Sequence, residues 1–399
     1  MNLDKLKTAD GLDVSGKRVL VRCDLNVPTK DGAVTDATRL ERIVPGLKDL
    51  SQRGARVIVL SHFGRPKGGP DKENSLAPVA AALQTLVGQP VAFAADSIGE
   101  AAQSAVAALP NGGILVLENT RFHAGETKND PEIAKAFAAL GDLFVNDAFS
   151  AAHRAHASTE GITHLLPSYA GPLMMEEIGA LRAALDQPKR PVAAIVGGAK
   201  VSTKIPVLTN LSAKVDKLII GGGMANTFLL AGGVEIGRSL AEPDLIDTVH
   251  EIMHAAKSRS CEIVLPQDLV VADRFEAGAP HQTVATIDVP PATMILDVGP
   301  KTVDHYVDVL SRCETLLWNG PLGAFEIDPF GDGTFALAKK AAERTRAGTL
   351  VSVAGGGDTV AALNTAEVTG DFTYVSSAGG AFLEWLEGRE LPGVTALAR

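Results

Sequence analysis

Residues 192–208 read VAAIVGGAKVSTKIPVL and contain the pattern that decides the fold. Five consecutive apolar residues, without polar alternation, predict a strand that is buried on both faces of a sheet. Two glycines end the strand. Val201, Ile205 and Leu208 then follow at helical spacing and predict a helix. A strand, a glycine turn and a helix form the repeating unit of a parallel α/β sheet.

The same unit recurs along the whole chain. The apolar runs occupy residues 18–21, 56–60, 114–117 and 143–145 in the first half, and 192–196, 218–220, 263–265, 316–318 and 350–353 in the second. Polar or glycine-rich stretches and Ala/Leu-rich helical segments separate them. Because the chain has 399 residues, it is long enough for two domains. We therefore predict an α/β protein with two doubly wound parallel-sheet domains and a cleft between them.

The boundary between the predicted domains lies near residues 174–190. Met175, Ile178, Leu181 and Leu185 have the spacing of one helix face, which predicts a helix over residues 174–185. The following DQPKRP contains two prolines, which stop a helix. This pattern predicts a linking helix followed by a hinge.

Composition excludes several classes of protein. The chain has 37 Lys and Arg against 47 Asp and Glu, a net charge of −10. A general binder of nucleic acid or of membrane surfaces needs a basic excess, so neither partner is expected. Any anion site must therefore be a local cluster of cations.

The cysteines and the apolar runs bear on the compartment. Three widely spaced cysteines, Cys23, Cys261 and Cys313, favour reduced, buried thiols over disulfides or a zinc ribbon. Residues 1–11 lack the apolar core of a secretory signal. The uncharged runs 77–95 and 218–234 are interrupted by proline or glycine, so they do not resemble membrane spans. We expect a cytoplasmic protein.

Cationic residues follow the strands of the first half. The strand ends are RCDLNVP (residues 22–28), HFGRP (62–66), NTRF (119–122) and HRAH (153–156). Arg39 follows an N-cap signal, Thr35-Asp36, and a cation in the first turn of a helix opposes the helix dipole unless an anion is bound. One guanidinium group can bind two oxygens of a phosphate or a carboxylate at once. Residues that follow parallel strands lie at one edge of the sheet, where ligands bind. A small anionic ligand is therefore predicted.

Other interpretations of these residues remain open. Any single arginine could be a solvated surface residue, and Arg22 could form an internal ion pair with Asp24. Alternatively, Asp24 and Asn26 could bind hydroxyl groups of the ligand. His153 and His156 lack the partners of a metal site, so a structural or substrate-facing role is expected.

Glycines follow the strands of the second half. The strand ends are GGAK (residues 197–200), GGGMAN (221–226), NGPLGAFE (319–326) and GGGDT (355–359), and SSAGG (376–380) opens the last helix. Glycines let the backbone approach a ligand, and helix N-termini offer N–H groups to phosphate. Lys200 and Lys204, at the start of a helix, also favour a phosphate chain there. Together these features predict a nucleotide site.

The sequence lacks the motifs of two common kinds of nucleotide site. No GxxxxGK[ST] occurs, and the near match to a dinucleotide motif, GDGTFA (residues 331–336), follows DPF rather than a strand. Asp358 fits both an N-cap and a carboxylate that holds the magnesium of a nucleotide. Glu326 by itself resembles a solvated loop carboxylate.

Nearly the whole chain resembles the phosphoglycerate kinase family. The matching stretches are VRCDLNVP (residues 21–28), SHFGRPKG (61–68), ENTRF (118–122), NDAFSAAHRAHAS (146–158), GGAKVSTKI (197–205), GGGMANTFL (221–229), WNGPLGAFE (318–326), AGGGDT (354–359) and SSAGGAFLEWLEG (376–388). The resemblance implies reversible phosphoryl transfer from 1,3-bisphosphoglycerate to MgADP, which yields 3-phosphoglycerate and MgATP. It further implies a cytoplasmic monomer that acts in glycolysis.

The resemblance also implies residue roles and domain limits. Phosphoglycerate would be held by Asp24, Asn26, Arg39, His62, Arg65, Arg121 and Arg154. The nucleotide would be held by Lys204, Glu326, Gly356, Gly357, Asp358 and Thr359, with Glu326 at the ribose and Asp358 at the Mg²⁺. Lys200 and Arg39 match the pair that stabilises the transferring phosphoryl group. The phosphoglycerate domain would comprise residues 1–173 and 389–399, the hinge 174–190 and the nucleotide domain 191–388. The family more often has STGGG where this chain has SSAGG.

The implied chemistry needs positioning rather than a general base. The acceptor in the ATP-consuming direction is a carboxylate that is already ionised. Because the two ligand sites lie in different halves, we expect the domains to close and exclude water. Two hypotheses from other classes remain: a non-catalytic two-domain ligand-binding protein, opposed by the paired lysines and the absent signal peptide, and a nicotinamide-dependent dehydrogenase, opposed by the failed dinucleotide motif.

Overall fold

The computed structural model describes residues 3–67 and 69–399, so Gly68 of the SHFGRPKG motif lies outside the described residues. The chain divides into two compact units. Unit 1 runs to Ile178 and also includes Glu390–Arg399, and unit 2 is Gly179–Arg389.

Strands and helices alternate through most of the described chain. The first part contains β1 (Arg18–Arg22), β2 (Thr29–Lys30), β3 (Ala33–Val34), α1 (Thr38–Gln52), β4 (Arg56–Leu60), α2 (Ala77–Val87), β5 (Val91–Ala94), α3 (Gly99–Ala108), β6 (Ile114–Leu117), α4 (Pro131–Ala138), β7 (Leu143–Asn146), β8 (Ser168–Ala170) and α5 (Pro172–Leu181). The second part contains β9 (Val192–Val196), α6 (Ile205–Leu211), β10 (Lys217–Ile220), α7 (Gly223–Ala231), α8 (Ile246–Ser258), β11 (Glu262–Val264), β12 (Asp268–Ala272), β13 (His281–Ala285), β14 (Met294–Val298), α9 (Pro300–Ser311), β15 (Thr315–Asn319), α10 (Asp332–Arg346), β16 (Val351–Gly355), α11 (Gly357–Thr365), β17 (Tyr374–Ser376), α12 (Gly379–Leu386) and α13 (Pro392–Thr395).

Unit 1 is built on a parallel sheet with the strand order β5-β6-β4-β1-β7-β8. Alternate residues of its strands enter two cores. Val19 and Val57 pack with residues of α1 and α2, while Leu20 and Ile58 pack with residues of α3 and α4. Helices therefore cover both faces, which explains why the strands are continuous apolar runs.

Unit 2 contains a second parallel sheet with the order β11-β10-β9-β15-β16-β17. Ile195 and Trp318 on its strands pack against α9, α10 and α11 in one core. These two sheets confirm the predicted fold class. Unit 2 also contains an antiparallel sheet with the order β13-β12-β14, which the sequence patterns did not predict.

The helix predicted over residues 174–185 corresponds to α5 and the turn that follows it. Helix α5 begins in unit 1 and ends in unit 2, and one π-helical turn, Arg182–Asp186, continues it. After unit 2, the chain returns to unit 1, where the Gly393 N–H donates to the Ala152 carbonyl at 2.8 Å.

The three thiols have the expected environment. All three cysteines are free and buried. Within residues 3–67 and 69–399, none of the helices has both the length and the apolar character that a membrane span needs.

Candidate functional site

Four neighbouring strands of unit 1 end beside the predicted anion ligands. The strands β6, β4, β1 and β7 are adjacent in the sheet, and the chain after each carries part of the cationic set. The buried Asn119 joins two of these loops, because its Oδ1 accepts the N–H groups of Phe63 and Arg121 at 3.1 and 3.0 Å. Gly64, in the loop after β4, connects this loop to the loops after β1 and β6, since its N–H donates to Asn26 Oδ1 and its carbonyl accepts from Arg121.

These loops enclose a cavity of about 220 Å³, which we call the arginine cavity. Its lining residues are Asn26, His62, Gly64, Arg65, Arg121, Ser150, Ala151, His153, Arg154 and His156. Three arginines and three histidines face it, and none of these lining residues is acidic. Five of the seven predicted phosphoglycerate ligands therefore lie together.

The other two predicted ligands, Asp24 and Arg39, form an ion pair beside this cavity. A guanidinium nitrogen of Arg39 lies 3.1 Å from Asp24 Oδ2 and also donates to the Asn26 carbonyl at 2.7 Å. The Ser150 hydroxyl donates to the same Asp24 carboxylate at 2.5 Å. The suggested ion pair between Arg22 and Asp24 is therefore wrong: Asp24 pairs with Arg39, and Arg22 donates to other groups.

The arginine cavity is electrostatically prepared for an anion. Burial, together with the charges of Arg22 and Arg154, lowers the pKa of Arg121 to about 10. Burial and the same kind of neighbours lower the pKa of His156 to about 4 and push the pKa of His62 far below its usual range. Such crowding of positive groups in a cleft is typical of a binding site whose ligand is negative.

A larger pocket of about 590 Å³ lies in unit 2, and we call it the glycine-rich pocket. It forms where the adjacent strands β10, β9, β15 and β16 end. The glycines there allow loops to touch: a Cβ on Gly197 would lie 1.9 Å from the Pro321 carbonyl oxygen. Gly356 has a φ of 101°, which side-chain-bearing residues rarely adopt. Glycine is thus required by packing and by backbone conformation.

One wall of the glycine-rich pocket is apolar, a feature that was not predicted from the sequence. Leu240 and Phe275 are 50% and 59% exposed and line the opening, and Leu269 and Leu296 come from the unpredicted antiparallel sheet. Exposed apolar side chains around a concave pocket are typical of a site for a flat apolar group such as a nucleobase. Phe275 lies in the charged stretch DRFE (residues 273–276), which gave no sequence signal.

The predicted polar ligands of the nucleotide lie at or near this pocket and differ in their exposure to solvent. Glu326 and Asp358 are exposed and line it. Lys204 is half-buried and donates from Nζ to Asn319 Oδ1 at 2.6 Å. Burial lowers the pKa of Lys204, although Asp358 acts in the opposite direction. Lys200 is exposed and follows Ala199, which lines the pocket.

Residues 356–359 form the start of α11, and they differ in their local roles. Gly356 is the N-cap of α11 and Asp358 lies in the first turn, so the N-cap interpretation of Asp358 is wrong. Thr359 is buried, and its hydroxyl oxygen accepts the Gly320 N–H at 2.7 Å. Gly357 has open space around its Cα, because a Cβ there would meet nothing within 4 Å.

Comparison with known proteins identifies the family. The family model "Phosphoglycerate kinase" matches residues 9–389. A phosphoglycerate kinase of Chelativorans sp. (strain BNC1) is 62% identical over 394 residues, which cover 98% of this chain and 99% of the relative. The phosphoglycerate kinase of Rhodospirillum centenum is 61% identical over 391 residues, with coverage of 98% and 99%. The chain belongs to the phosphoglycerate kinase family.

Solved structures agree with this assignment. A phosphoglycerate kinase from Coxiella burnetii matches with a TM-score of 0.92 and 42% identity, and one from Pyrococcus horikoshii matches with 0.81 and 30%. Each match covers 98% of both chains. Phosphoglycerate kinases catalyse the reversible glycolytic transfer of a phosphoryl group between 1,3-bisphosphoglycerate and ADP. This chain is such an enzyme, and the alternative of a non-catalytic binding protein is not supported.

Phosphoglycerate kinases use ADP and ATP as substrates, and the protein groups here fit a metal that arrives with the nucleotide. No cluster of three His, Cys, Asp or Glu side chains suited to a metal occurs among the residues that the structure describes. Asp358 presents a single exposed carboxylate at the glycine-rich pocket. Magnesium in such enzymes is held by one or two carboxylates, phosphates and waters, so this donor set is compatible with it.

Proposed function

We propose that unit 1 binds phosphoglycerate in the arginine cavity and that unit 2 binds the adenine nucleotide in the glycine-rich pocket. The observation that carries this assignment is the contrast between the two linings. The first cavity has three arginines, three histidines and no acidic side chain. The second has an apolar wall, glycine turns and three acidic side chains, Asp297, Glu326 and Asp358. A small polyanion suits the former, and a base with a phosphate chain suits the latter.

In this proposal the cations of unit 1 hold the anionic groups of phosphoglycerate. Arg65 and Arg154 are exposed at the arginine cavity, while Arg121 is fixed by its hydrogen bond to the Gly64 carbonyl. Asp24 and Asn26 then meet the ligand's hydroxyl group. Asp24 also orients Arg39 through their ion pair.

The nucleotide ligands divide by chemistry. Leu240 and Phe275 cover the base, and Glu326 accepts the ribose hydroxyls. Lys204 and the N-terminus of α11, from Gly356 to Thr359, bind phosphate oxygens, since free helical N–H groups and an ammonium attract anions. Asp358 would hold Mg²⁺, which would neutralise charge on the phosphates.

The transfer step requires charge neutralisation at the moving phosphoryl group. Arg39 from unit 1 and Lys200 from unit 2 supply fixed positive charge, and the ionised carboxylate of 3-phosphoglycerate attacks without a general base. Because the ligands are held by different units, we propose that the chain brings the units together for transfer. The segment 174–190 serves as the hinge. Its π-helical turn, Arg182–Asp186, interrupts the regular α-helical hydrogen bonding there, and such turns are frequent at functional sites.

Two substitutions test the catalytic pair. Lys200→Ala and Arg39→Ala should each lower kcat about 10²- to 10³-fold, because charge stabilisation is lost in the transition state. Calorimetry should show that Lys200→Ala still binds both substrates. Lys257→Ala, an exposed lysine of α8, is the control and should leave kcat unchanged. Near-normal turnover of Lys200→Ala would remove this lysine from the mechanism.

The hinge and the assembly state have independent tests. Small-angle scattering should give a smaller radius of gyration with both substrates than with either alone, and an unchanged radius would argue against closure. One chain carries both sets of ligands, so we propose a monomer, which light scattering would check. The glycolytic reaction and the three reduced thiols suit a cytoplasmic location, which a fluorescent fusion would test.

A further inference from the structure

A buried chain of hydrogen bonds leads from Glu126 to His62. Both Glu126 and Ser158 are fully buried, and Glu126 Oε1 and Oε2 accept the Ser158 hydroxyl at 2.5 Å and the Ser158 N–H at 3.0 Å. The Ser158 hydroxyl oxygen in turn accepts from Arg22 Nε at 3.0 Å. Arg22 is also fully buried, and its Nη2 lies 3.0 Å from His62 Nδ1.

The direction of every bond in this chain is fixed by chemistry. A carboxylate only accepts and a guanidinium only donates, so the Ser158 hydroxyl donates to Glu126 and accepts from Arg22. By the same argument, Arg22 donates to His62, and His62 Nδ1 must be an unprotonated acceptor. A neutral imidazole with a free Nδ1 carries its proton on Nε2.

The surroundings of His62 also keep the ring neutral. Arg22, Arg121 and Arg154 are the cations around it, with His156 as a further neighbour, and all disfavour a second proton, as burial does. The closest approach of Glu126 to a histidine is to His156, at 3.9 Å. His62 itself lines the arginine cavity, whereas Arg22, Ser158 and Glu126 do not.

We propose that Glu126, Ser158 and Arg22 are positioning residues that hold His62 as the Nε2–H tautomer, so that it donates a hydrogen bond to phosphoglycerate. This role rests on the proposed phosphoglycerate site. A neutral donor suits a cavity that already contains three arginines, because it adds a hydrogen bond without further repulsion between cations. Glu126 supplies the larger part of the negative charge that compensates the buried Arg22 guanidinium, and Asp24 supplies a smaller part.

The ring state can be measured without any assay of activity. Two-bond ¹H–¹⁵N spectra of the full-length protein should show His62 as a single neutral Nε2–H tautomer from pH 6 to pH 8. In Ser158→Ala, Arg22 loses its link to Glu126, and His62 should populate the other tautomer or begin to titrate. Ser97→Ala is the matched control. It removes another fully buried hydroxyl of unit 1, one that has no hydrogen-bond partner.

Kinetics provide the second readout. Ser158→Ala should raise the KM for 3-phosphoglycerate about tenfold, the effect of one hydrogen bond, and leave the KM for ATP unchanged. Glu126→Gln keeps the shape of the side chain but removes its charge, and it should act in the same direction. Ser97→Ala should change neither constant.

Three outcomes would overturn the role of the chain. One is a wild-type His62 that titrates or carries its proton on Nδ1. Another is a Ser158→Ala spectrum and KM identical to wild type. The third is an equal rise of both KM values, which would indicate general damage to the fold. Arg65→Ala separates this result from the site assignment: if it raises the KM for 3-phosphoglycerate while Ser158→Ala does not, only the positioning chain fails.

Discussion

Asp24 and Arg39 form an ion pair of 3.1 Å, and the same guanidinium donates to the Asn26 carbonyl at 2.7 Å. Arg39 lies in the first turn of α1, where the helix dipole disfavours a cation. The pair offsets that cost and fixes the guanidinium before any ligand binds. Asp24 is itself held by the Ser150 hydroxyl, which donates to the carboxylate oxygen that pairs with Arg39.

The planar shape of the Arg39 guanidinium should matter as well as its charge. Arg39→Lys keeps the charge but replaces the guanidinium, one nitrogen of which contacts both the Asp24 carboxylate and the Asn26 carbonyl, with an ammonium on a flexible stem. We expect kcat to fall about tenfold or more and the KM for ADP to stay constant, measured by coupled assay. Lys48→Arg, in the same helix, is the control. Full activity of Arg39→Lys would show that only the charge is needed.

Lys204, which contacts Asn319, is assigned to the nucleotide, so its substitution should weaken the binding of the nucleotide only. Lys204→Met should raise the KM for ATP about tenfold or more, because a charged hydrogen bond to phosphate is lost. The KM for 3-phosphoglycerate should not change. Lys340→Met, at an exposed ion pair of α10, should leave both constants unaltered. An equal effect on both substrates would contradict the assignment of Lys204 to the nucleotide.

We expect the crowding of cations in the arginine cavity to lower the stability of the unliganded protein and to strengthen the binding of 3-phosphoglycerate. Arg154→Gln removes one positive charge next to Arg121, and it should leave the unliganded protein as stable as wild type or more stable. The same change should reduce the rise in Tm that 3-phosphoglycerate produces. Calorimetric scans with and without the ligand measure both effects. A large loss of stability without ligand would mean that Arg154 is structural.

Asp297 predicts a pH dependence of stability in unit 2. Burial raises its pKa to about 7, although the N–H groups of Gly333 and Val298 favour the ionised form and Asp332 adds repulsion. Between pH 4 and pH 7 the unfolded chain has lost this proton and the folded chain has kept it. The group therefore lowers the free energy of unfolding by about 1.4 kcal/mol per pH unit as the pH rises through this range.

Asp297→Asn should remove that slope. Relative to wild type, the variant should become progressively more stable from pH 4.5 to pH 6.5, with the difference constant above pH 8. Both tryptophans of the chain, Trp318 and Trp385, lie in unit 2, so tryptophan fluorescence in urea titrations reports on this unit. Asp308→Asn, an exposed carboxylate of α9, should run parallel to wild type. Parallel curves for Asp297→Asn as well would show that Asp297 is ionised throughout.

Much of the site could be predicted because its signals are local in sequence. The cations after β1, β4, β6 and β7 and the glycines after β9, β10, β15 and β16 directly follow apolar runs. In a parallel sheet these ends share one edge, so the residues after them converge. The antiparallel strands β12 to β14 gave no comparable pattern, and with them the apolar wall of the glycine-rich pocket was missed.

The partners of polar side chains were less predictable. Asp24 stands two positions from Arg22 in the sequence, yet it pairs with Arg39, which reaches it from α1. Arg22 instead donates to Ser158, 136 positions away, and to His62, 40 positions away. Arg22 is the last residue of β1, whereas Asp24 lies in the loop beyond it, where the regular alternation of strand side chains no longer applies. Closeness along the chain therefore says little about contact.

The sequence by itself determined the alternation of strands and helices, the family and the two kinds of ligand group, because apolar periodicity and strand-end motifs are properties of short segments. Only the tertiary structure decided which cation is anchored by Asp24 and which side chains form the apolar wall. It also decided that a buried carboxylate lies behind His62. Those contacts join residues far apart in the chain, and they exist only once both faces of each sheet are covered and the loops at its edge are packed together.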